Sequence, residues 1–293
     1  MKRFFICAVL LLTAFLAGCD GTVTQSDPVT ETAVPPETVP AVCSTLKVYC
    51  FRAGKADAFL LWNDAGAVLI DCGESGYGKT ILEKLSELGI GKLDYLIITH
   101  FDKDHVGGAK KILVDFPVDT VLQSNCPKSG TEAYDKYVKA LAERGLEPVT
   151  VRERLRFCLG DAVFTVDPPA QERYSEDESN NSSLIVTVAH GEKRLVFAAD
   201  AEDLRLREYL RQNPAACDFL KIPYHGKWQS CLPELLKALR PAAAVISSSE
   251  AEPEAEQTLA LLEDQGVSVY LTRTAPVLAV SDGTELRVEY AEN

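Results

Sequence analysis

Residues 99–108 read THFDKDHVGG, and this stretch restricts the fold of the chain more tightly than any other. It places two imidazoles and two carboxylates, His100, Asp102, Asp104 and His105, within six residues. The run before it, YLIIT, is apolar and of strand length, and two glycines close it. An apolar strand buried in a sheet, delivering its last residues to a loop, reconciles the two, because alternate side chains converge at the strand's end. The whole chain has only four histidines. Imidazole beside carboxylate is a ligand set suited to zinc, manganese or iron. A solvated turn in which Asp104 caps the next helix accounts for the same residues without a metal.

The flanking runs supply the setting. Three β-like runs, LKVYCF, AFLLWN and AVLIDC, are separated by Gly, Asn and Asp turns and predict an antiparallel meander. Ile81, Leu82, Leu85 and Leu88 recur at helical spacing in KTILEKLSELGI, with Gly91 beyond as a stop. After the motif, a helix from near His105 to about Asp115 leads to the strand VDTVLQS and a helix over EAYDKYVKALAERG. Strands follow near LRFCLG and AVFTVD, then a polar loop over residues 175–183. The run SLIVTVAHGEKRLVFAAD reads as a hairpin turning at His190 to Lys193, its second strand delivering Asp200. Helix and strand then alternate through AEDLRLREYLRQN, DFLKIPYHG, PELLKALR, AAVISSS, EAEQTLALLEDQG and VSVYLT, before closing β-like runs. Meanders mixed with single helices, in two similar halves, predict two sheets packed together with helices outside and sites in loops at one end.

At the N-terminus, Lys2 and Arg3 precede an apolar run over residues 4–16 that closes on LAGC. Its length and basic flank predict a signal segment, residues 1–18, in preference to a membrane span. LAGC resembles the bacterial lipobox, which implies a lipid on Cys19 and an extracytoplasmic protein anchored to the cell membrane. Residues 19–43, rich in Thr, Pro, Val and Glu, cannot bury enough apolar surface to order themselves and predict a tether. Residues 44–293 are expected to form one domain, acting as a monomer. The net charge of −13 argues against general affinity for nucleic-acid backbones, which basic side chains drive, but leaves room for a local basic groove. Setting aside Cys7 and Cys19, seven of the nine cysteines remain, with no CxxC pair, so a cysteine zinc site is not expected.

Six segments in order carry a resemblance. THFDKDHVGG looks like the HxHxDH signature of metallo-β-lactamase fold hydrolases, and with Asp102 in the second histidine position it is closer to the ComEC-type competence-protein branch, HxDxDHxGG. FRAGKADAFLL resembles VGQGDAxLI, VLIDCG the strand behind it, NNSSLIV the strand NNxSLVL, VFAAD the bridge LLTGD, and FLKIPYHG the loop LKVPHHGS. The resemblance implies an α/β fold, a four-layer αββα sandwich of two mixed sheets packed face to face with helices outside. It implies one or two divalent ions, zinc or manganese. Asp104, His105, Asp200 and His225 would form the second metal site; His100 and Asp102 with Asp200, and Asn181 where other branches place a histidine, would form the first. The implied activity is hydrolysis of esters, phosphodiesters favoured, by metal-activated water, with Asp104 and His105 catalytic and Tyr224 and Lys227 placed to meet metal or substrate. Tyr224 departs from the first histidine of HHG, Lys227 from the serine after it, and Ala199 and Ala56 from glycines.

Of the remaining features, GESGYGKT, residues 73–80, satisfies the P-loop pattern, yet its strand is expected to belong to a meander and its glycines to a turn. His190 is expected to be exposed in its hairpin turn. Trp62 is expected in the core, and Trp228 beside the site. Asp57 and Asp71 are expected to be structural, with hydrogen bonds to ligand histidines the alternative. The competing functional class is a non-catalytic binding lipoprotein with a degenerate cage.

Overall fold

Strands β1 (Leu46–Cys50), β2 (Phe59–Asn63) and β3 (Gly66–Ile70) pair antiparallel as the expected meander. Helix α1 (Gly78–Glu87) then returns the chain to β4 (Leu93–Ile98), which pairs with β3 in parallel. The expectation that β3 belongs to a meander alone is therefore corrected: β3, α1 and β4 form a βαβ unit. These elements come from a computed structural model that describes residues 44–126, 130–175 and 178–291. The signal segment and tether expected at residues 1–43, Cys19 included, lie outside the described residues.

The single helix expected from His105 to Asp115 is two, α2 (Lys103–Val106) and α3 (Ala109–Asp115), divided at Gly107 and Gly108. Backbone contact divides them. Gly108 N donates to Gly73 O at 3.1 Å, and a Cβ on Gly108 would stand 2.2 Å from Cys72 O. Strand β5 (Val118–Ser124), helix α4 (Glu132–Arg144) and the short, unanticipated strand β6 (Val149–Val151) complete this half.

The second half runs through β7 (Leu155–Leu159), β8 (Ala162–Asp167), the short helix α5 (Glu178–Asn181), β9 (Ile185–His190) and β10 (Lys193–Phe197). It continues with α6 (Asp203–Leu210), β11 (Phe219–Lys221), a 3₁₀ turn (Pro223–Gly226), α7 (Leu232–Leu239), β12 (Ala243–Ile246), α8 (Glu256–Asp264) and β13 (Ser268–Leu271). The closing strands β14 (Val277–Ser281) and β15 (Leu286–Tyr290) return to the first sheet, β14 lying beside β1. The sheet orders are β15-β14-β1-β2-β3-β4-β5-β6 and β13-β12-β11-β10-β9-β8-β7.

Neighbouring residues of one strand serve different layers, since side chains alternate across a sheet. Leu61, Ile70 and Ile97 pack between the sheets with Phe164, Phe197 and Phe219. Leu60, Leu69 and Ile98 face the other way, against Ile81, Ile112 and Tyr137 of the helices. On the far side Val196, Leu220 and Ala244 pack against Leu206, Leu235 and Leu262. Strands covered on both faces read as unbroken apolar runs. The result is the four-layer αββα sandwich.

His190 corrects an expectation. It is fully buried at the end of β9, its Nδ1 2.8 Å from Ser281 Oγ of β14 and its Nε2 3.4 Å from Asp161. The late return of β14 to the first sheet covers the hairpin end that the sequence pattern leaves open. Trp62 is half-buried at the margin of the helix-covered layer, with the Lys47 ammonium 5.9 Å from its ring centroid. Among the described residues six cysteines carry free thiols, all buried except Cys158. No helix among the described residues is long and apolar enough to cross a membrane.

Candidate metal centre

The ends of β3, β4, β10 and β11 meet at one end of the sandwich, and each delivers part of the site. Thr99 follows β4 directly, and its N and Oγ1 donate to Asp71 just after β3 at 2.8 and 2.6 Å. Asp71 adopts a left-handed backbone, φ 56°, and turns its carboxylate back toward the motif. There Asp71 Oδ2 lies 2.8 Å from His105 Nδ1. This contact fixes the ring with Nε2 facing inward, the usual arrangement of a carboxylate behind a ligand histidine. Cys72 N, donating to His105 O at 2.7 Å, holds the backbone of α2 in place.

Asp200 follows β10 after Ala199, which stands in the left-handed region, φ 48°. The 3₁₀ turn after β11 carries Tyr224 and His225 with φ 48° and 52°. Two consecutive left-handed residues that are not glycine cost about 1–2 kcal/mol each, strain of a kind that collects at functional sites. The turn aims His225 inward, with Nε2 2.9 Å from Asp200 Oδ2 and 3.6 Å from Asp104 Oδ2. His225 Nδ1 lies 3.1 Å from Ser247 O, the carbonyl that fixes its tautomer.

Asp104, His105, Asp200 and His225 thus offer four donor atoms within 4.8 Å of one another. His105 Nε2 and His225 Nε2 are buried and both face the Asp200 carboxylate, at 3.3 and 2.9 Å. Buried polar atoms in folded proteins almost always find a partner. Two buried imidazole nitrogens converging on two carboxylates form a donor set that fits a divalent cation. Asp57, Asp71 and His105 also cluster, but behind the ring, where Asp57 Oδ2 is ion-paired with Lys221 Nζ at 2.5 Å and Asp71 is bound to Thr99.

Electrostatics separate the rings. Burial lowers the pKa of His105, but Asp200 and Asp71 more than offset it and hold the ring well above its ordinary value. His225 is likewise raised, burial being outweighed by Asp200 and Asp104. Burial alone would raise Asp200; His225, His105 and Lys221 hold it well below the carboxylate range. Asp104 is lowered too, the His225 and His105 rings overcoming burial. His100 goes the other way, to about 4, through burial and then the neighbouring His105.

The residues expected at the first metal position are less well assembled. His100 is buried with Nδ1 3.2 Å from Thr99 Oγ1, and its Nε2, which completes no hydrogen bond, lies 3.8 Å from Asp102 Oδ2. Asp102 is partly exposed and accepts a hydrogen bond from Ser179 Oγ. Asn181 is buried, its Oδ1 accepting from Arg205 N at 3.0 Å near the start of α6. Tyr224 and Lys227 flank the turn: Tyr224 lines the cleft, Lys227 is exposed, and Trp228 is 42 % exposed beside them.

Sequence reasoning missed Lys221, which is fully buried with Nζ 2.7 Å from Ala199 O and 3.3 Å from Asp200 Oδ1. A lysine inside the apolar strand run FLKIP was the available signal, because a buried ammonium requires a carboxylate partner. The GESGYGKT turn packs on the site from outside. A Cβ on Gly107 would stand 2.5 Å from Ser75 N, so the HVGG backbone fills the space where a P-loop cradles phosphate. Lys79 is exposed and pairs with Glu83.

A cleft of about 570 Å³ opens over Asp104 and Asp200, lined also by Lys55, Phe101, Asn180 and Tyr224. The family model described as the metallo-beta-lactamase superfamily matches residues 52–249, spanning every one of these site residues. The chain belongs to the metallo-beta-lactamase superfamily. Within that superfamily it is 29 % identical over 175 residues to ComE operon protein 3 of Bacillus subtilis, covering 59 % of this chain and 22 % of that protein. It is 28 % identical over 218 residues to Recombination protein 2 of Haemophilus influenzae, covering 71 % and 25 %. The chain therefore spans about a quarter of the length of these curated relatives, which agree with the competence-protein branch that the six segments resemble. Among solved structures, Igni18, a metallo hydrolase from Ignicoccus hospitalis, superposes with a TM-score of 0.52 at 17 % identity, over 85 % of this chain and 100 % of that one. YhfI from Bacillus subtilis, described as a metallo-beta-lactamase fold protein, superposes with a TM-score of 0.51 at 12 % identity, over 78 % of this chain and 96 % of that one, and this likeness shows the fold.

Proposed function

We propose that this chain is an exported metal-dependent hydrolase that cleaves phosphodiester bonds at the cleft above Asp104 and Asp200. The observation that carries the reading is the convergence of two buried nitrogens, His105 Nε2 and His225 Nε2, on the carboxylates of Asp104 and Asp200, with all four donors within 4.8 Å of one another. Asp104, His105, Asp200 and His225 would hold a divalent ion, and the chemistry supplied there would be acidification of a water and Lewis-acid polarisation of the attacked group. The chain's own residues do the rest. Asp71 and the Ser247 carbonyl set the tautomers of His105 and His225. Lys221 holds Asp200 and Asp57 in register from behind. Asp104, which lines the cleft, is placed to orient the attacking water.

Within this reading, His100 and Asp102, with Asp200, hold a second and weaker ion; a carboxylate-rich position of this kind favours manganese over zinc. Residues 1–18 direct export, Cys19 carries the lipid that anchors the protein outside the cell membrane, residues 19–43 are the tether, and residues 44–293 act as a monomeric domain. The substrate is a small phosphodiester, a headgroup phosphate or a nucleic-acid strand, the last opposed by a net charge of −13. Metal analysis of the purified domain, with hydrolysis of bis(4-nitrophenyl) phosphate in added manganese or zinc, tests the reading. About one tightly held ion per chain and metal-dependent turnover are expected. Less than one tight ion with no turnover would instead make the chain a non-catalytic binding lipoprotein. ATP binding that is lost in Lys79→Ala and indifferent to chelators would restore the P-loop alternative.

A further inference from the structure

Three departures from the family segments converge on one ring. Lys55 stands where VGQGDAxLI has glutamine, Tyr224 where LKVPHHGS has its first histidine, and Lys227 where that segment has serine. They lie far apart in the chain, yet Lys227 Nζ is 4.7 Å and Lys55 Nζ 5.9 Å from the centroid of the Tyr224 ring. Ammonium groups at these distances from an aromatic face are attracted to it. The ring so steadied lines the same cleft as Asp104 and Asp200.

Lysines and carboxylates stand together at this mouth, Lys55 beside Asp104 and Asp200, in a molecule whose formal net charge is −13. Lys55, largely buried, reaches within 3.9 Å of both Asp104 Oδ2 and Glu252 Oε1, a span too long for a tight pair. Lys227 has no carboxylate within 4.0 Å among the described residues. Two lysines thus stand beside the cleft without a closely bound anion of the protein's own. The left-handed backbone of both Tyr224 and His225 adds a second observation, because a single strained turn presents this ring and a metal-centre histidine together.

We propose that Lys55, Tyr224 and Lys227 form an oxyanion-holding subsite beside the metal centre, which takes the non-bridging oxygens of a phosphoryl group and favours phosphodiesters over neutral carboxylic esters. The proposal deepens the hydrolase reading and rests on it for the identity of the reacting group. Lys55, next to Asp104, meets oxygens of the group under attack; Lys227, farther out, meets an oxygen at the rim. Two cations and a phenol make a charged, hydrogen-bonding wall, worth more to an ionised phosphoryl group than to a neutral ester.

Phenylphosphonate, a doubly ionisable group that cannot be hydrolysed, is the probe. It is titrated calorimetrically into the full domain, both metal-loaded and chelator-treated, for wild type, Lys227→Ser, Lys55→Gln and the double variant. Each single substitution is expected to weaken binding about tenfold, as for one charge-assisted hydrogen bond, and the double variant more, with bound metal unchanged. Tyr224→Phe tests the hydroxyl and is expected to have a smaller effect. Equal affinity of wild type and Lys227→Ser, an exposed position where folding is not at stake, together with equal affinity of the double variant, would overturn the proposal. So would failure of wild type to bind the phosphonate in both forms. Absence of bound metal, by contrast, overturns the hydrolase reading, while titration of the chelator-treated protein still reads the subsite.

Discussion

His100 and His105 belong to one loop, with rings 4.0 Å apart, yet their surroundings shift their pKa values in opposite directions. His105 has Asp71 behind it and Asp200 before it, and its pKa is raised. His100 has a threonine and a serine at one nitrogen, the distant Asp102 at the other, and its pKa falls to about 4. Both rings are buried, so burial does not separate them; the carboxylates brought by β3 and β10 do. One half of the site is a compact four-donor cage, and the other is a histidine whose carboxylate partner is turned toward Ser179 and solvent.

The largest expected effect falls on the compact half. Asp200→Asn should abolish tight metal binding and reduce hydrolysis on the order of 10²–10³-fold, read by elemental analysis and turnover; an ion retained at wild-type affinity would break the distinction between the halves. Asp71→Asn should weaken metal binding about 10–100-fold by loosening His105, measured by competition with a chelator.

The halves should also differ in their response to pH. In chelator-treated protein burial lowers His105 and His225, but Asp200, with Asp71 and Asp104, raises them above the ordinary value. Their contribution to stability is then complete below about pH 6.5 and is lost as pH rises through the raised values. Once an ion displaces those protons the slope reverses, and affinity falls on acidification. Melting curves from about pH 6 to 9, with and without chelator, read both signs; parallel curves would remove the electrostatic contrast.

Smaller effects belong to the weaker half and to the backbone. Asp102→Asn should lower uptake of a second ion and leave the first, while Asp102→His should strengthen the second, as calorimetric stoichiometry can show. Ala199→Gly should raise the melting temperature slightly, by the equivalent of up to about 1 kcal/mol, because glycine adopts the left-handed conformation that alanine holds at a cost.

Much of the compact half was legible because its signals are local. THFDKDHVGG follows an apolar strand, VFAAD ends on an aspartate, and FLKIPYHG carries a histidine, all in an order that resembles one family. Which residue of the Tyr-His pair faces inward was not legible, since it depends on two left-handed backbone conformations in one short turn. His190 looked exposed because the strand that buries it, β14, lies far along the chain. The parallel pairing of β3 with β4 was hidden for a similar reason: apolar runs show that strands are covered but not which neighbour they take.

The sequence by itself determined that this chain forms a sandwich of buried strands with a polar loop at one end, because apolar periodicity and turn residues act over short distances. It also determined which residue types are available for a metal. Only the tertiary structure decided which of them meet. Lys221 with Asp57, Asp71 with His105, and two lysines against Tyr224 are contacts between separate elements, and the field that raises one imidazole and lowers its neighbour arises from charges the fold alone brings within a few ångströms.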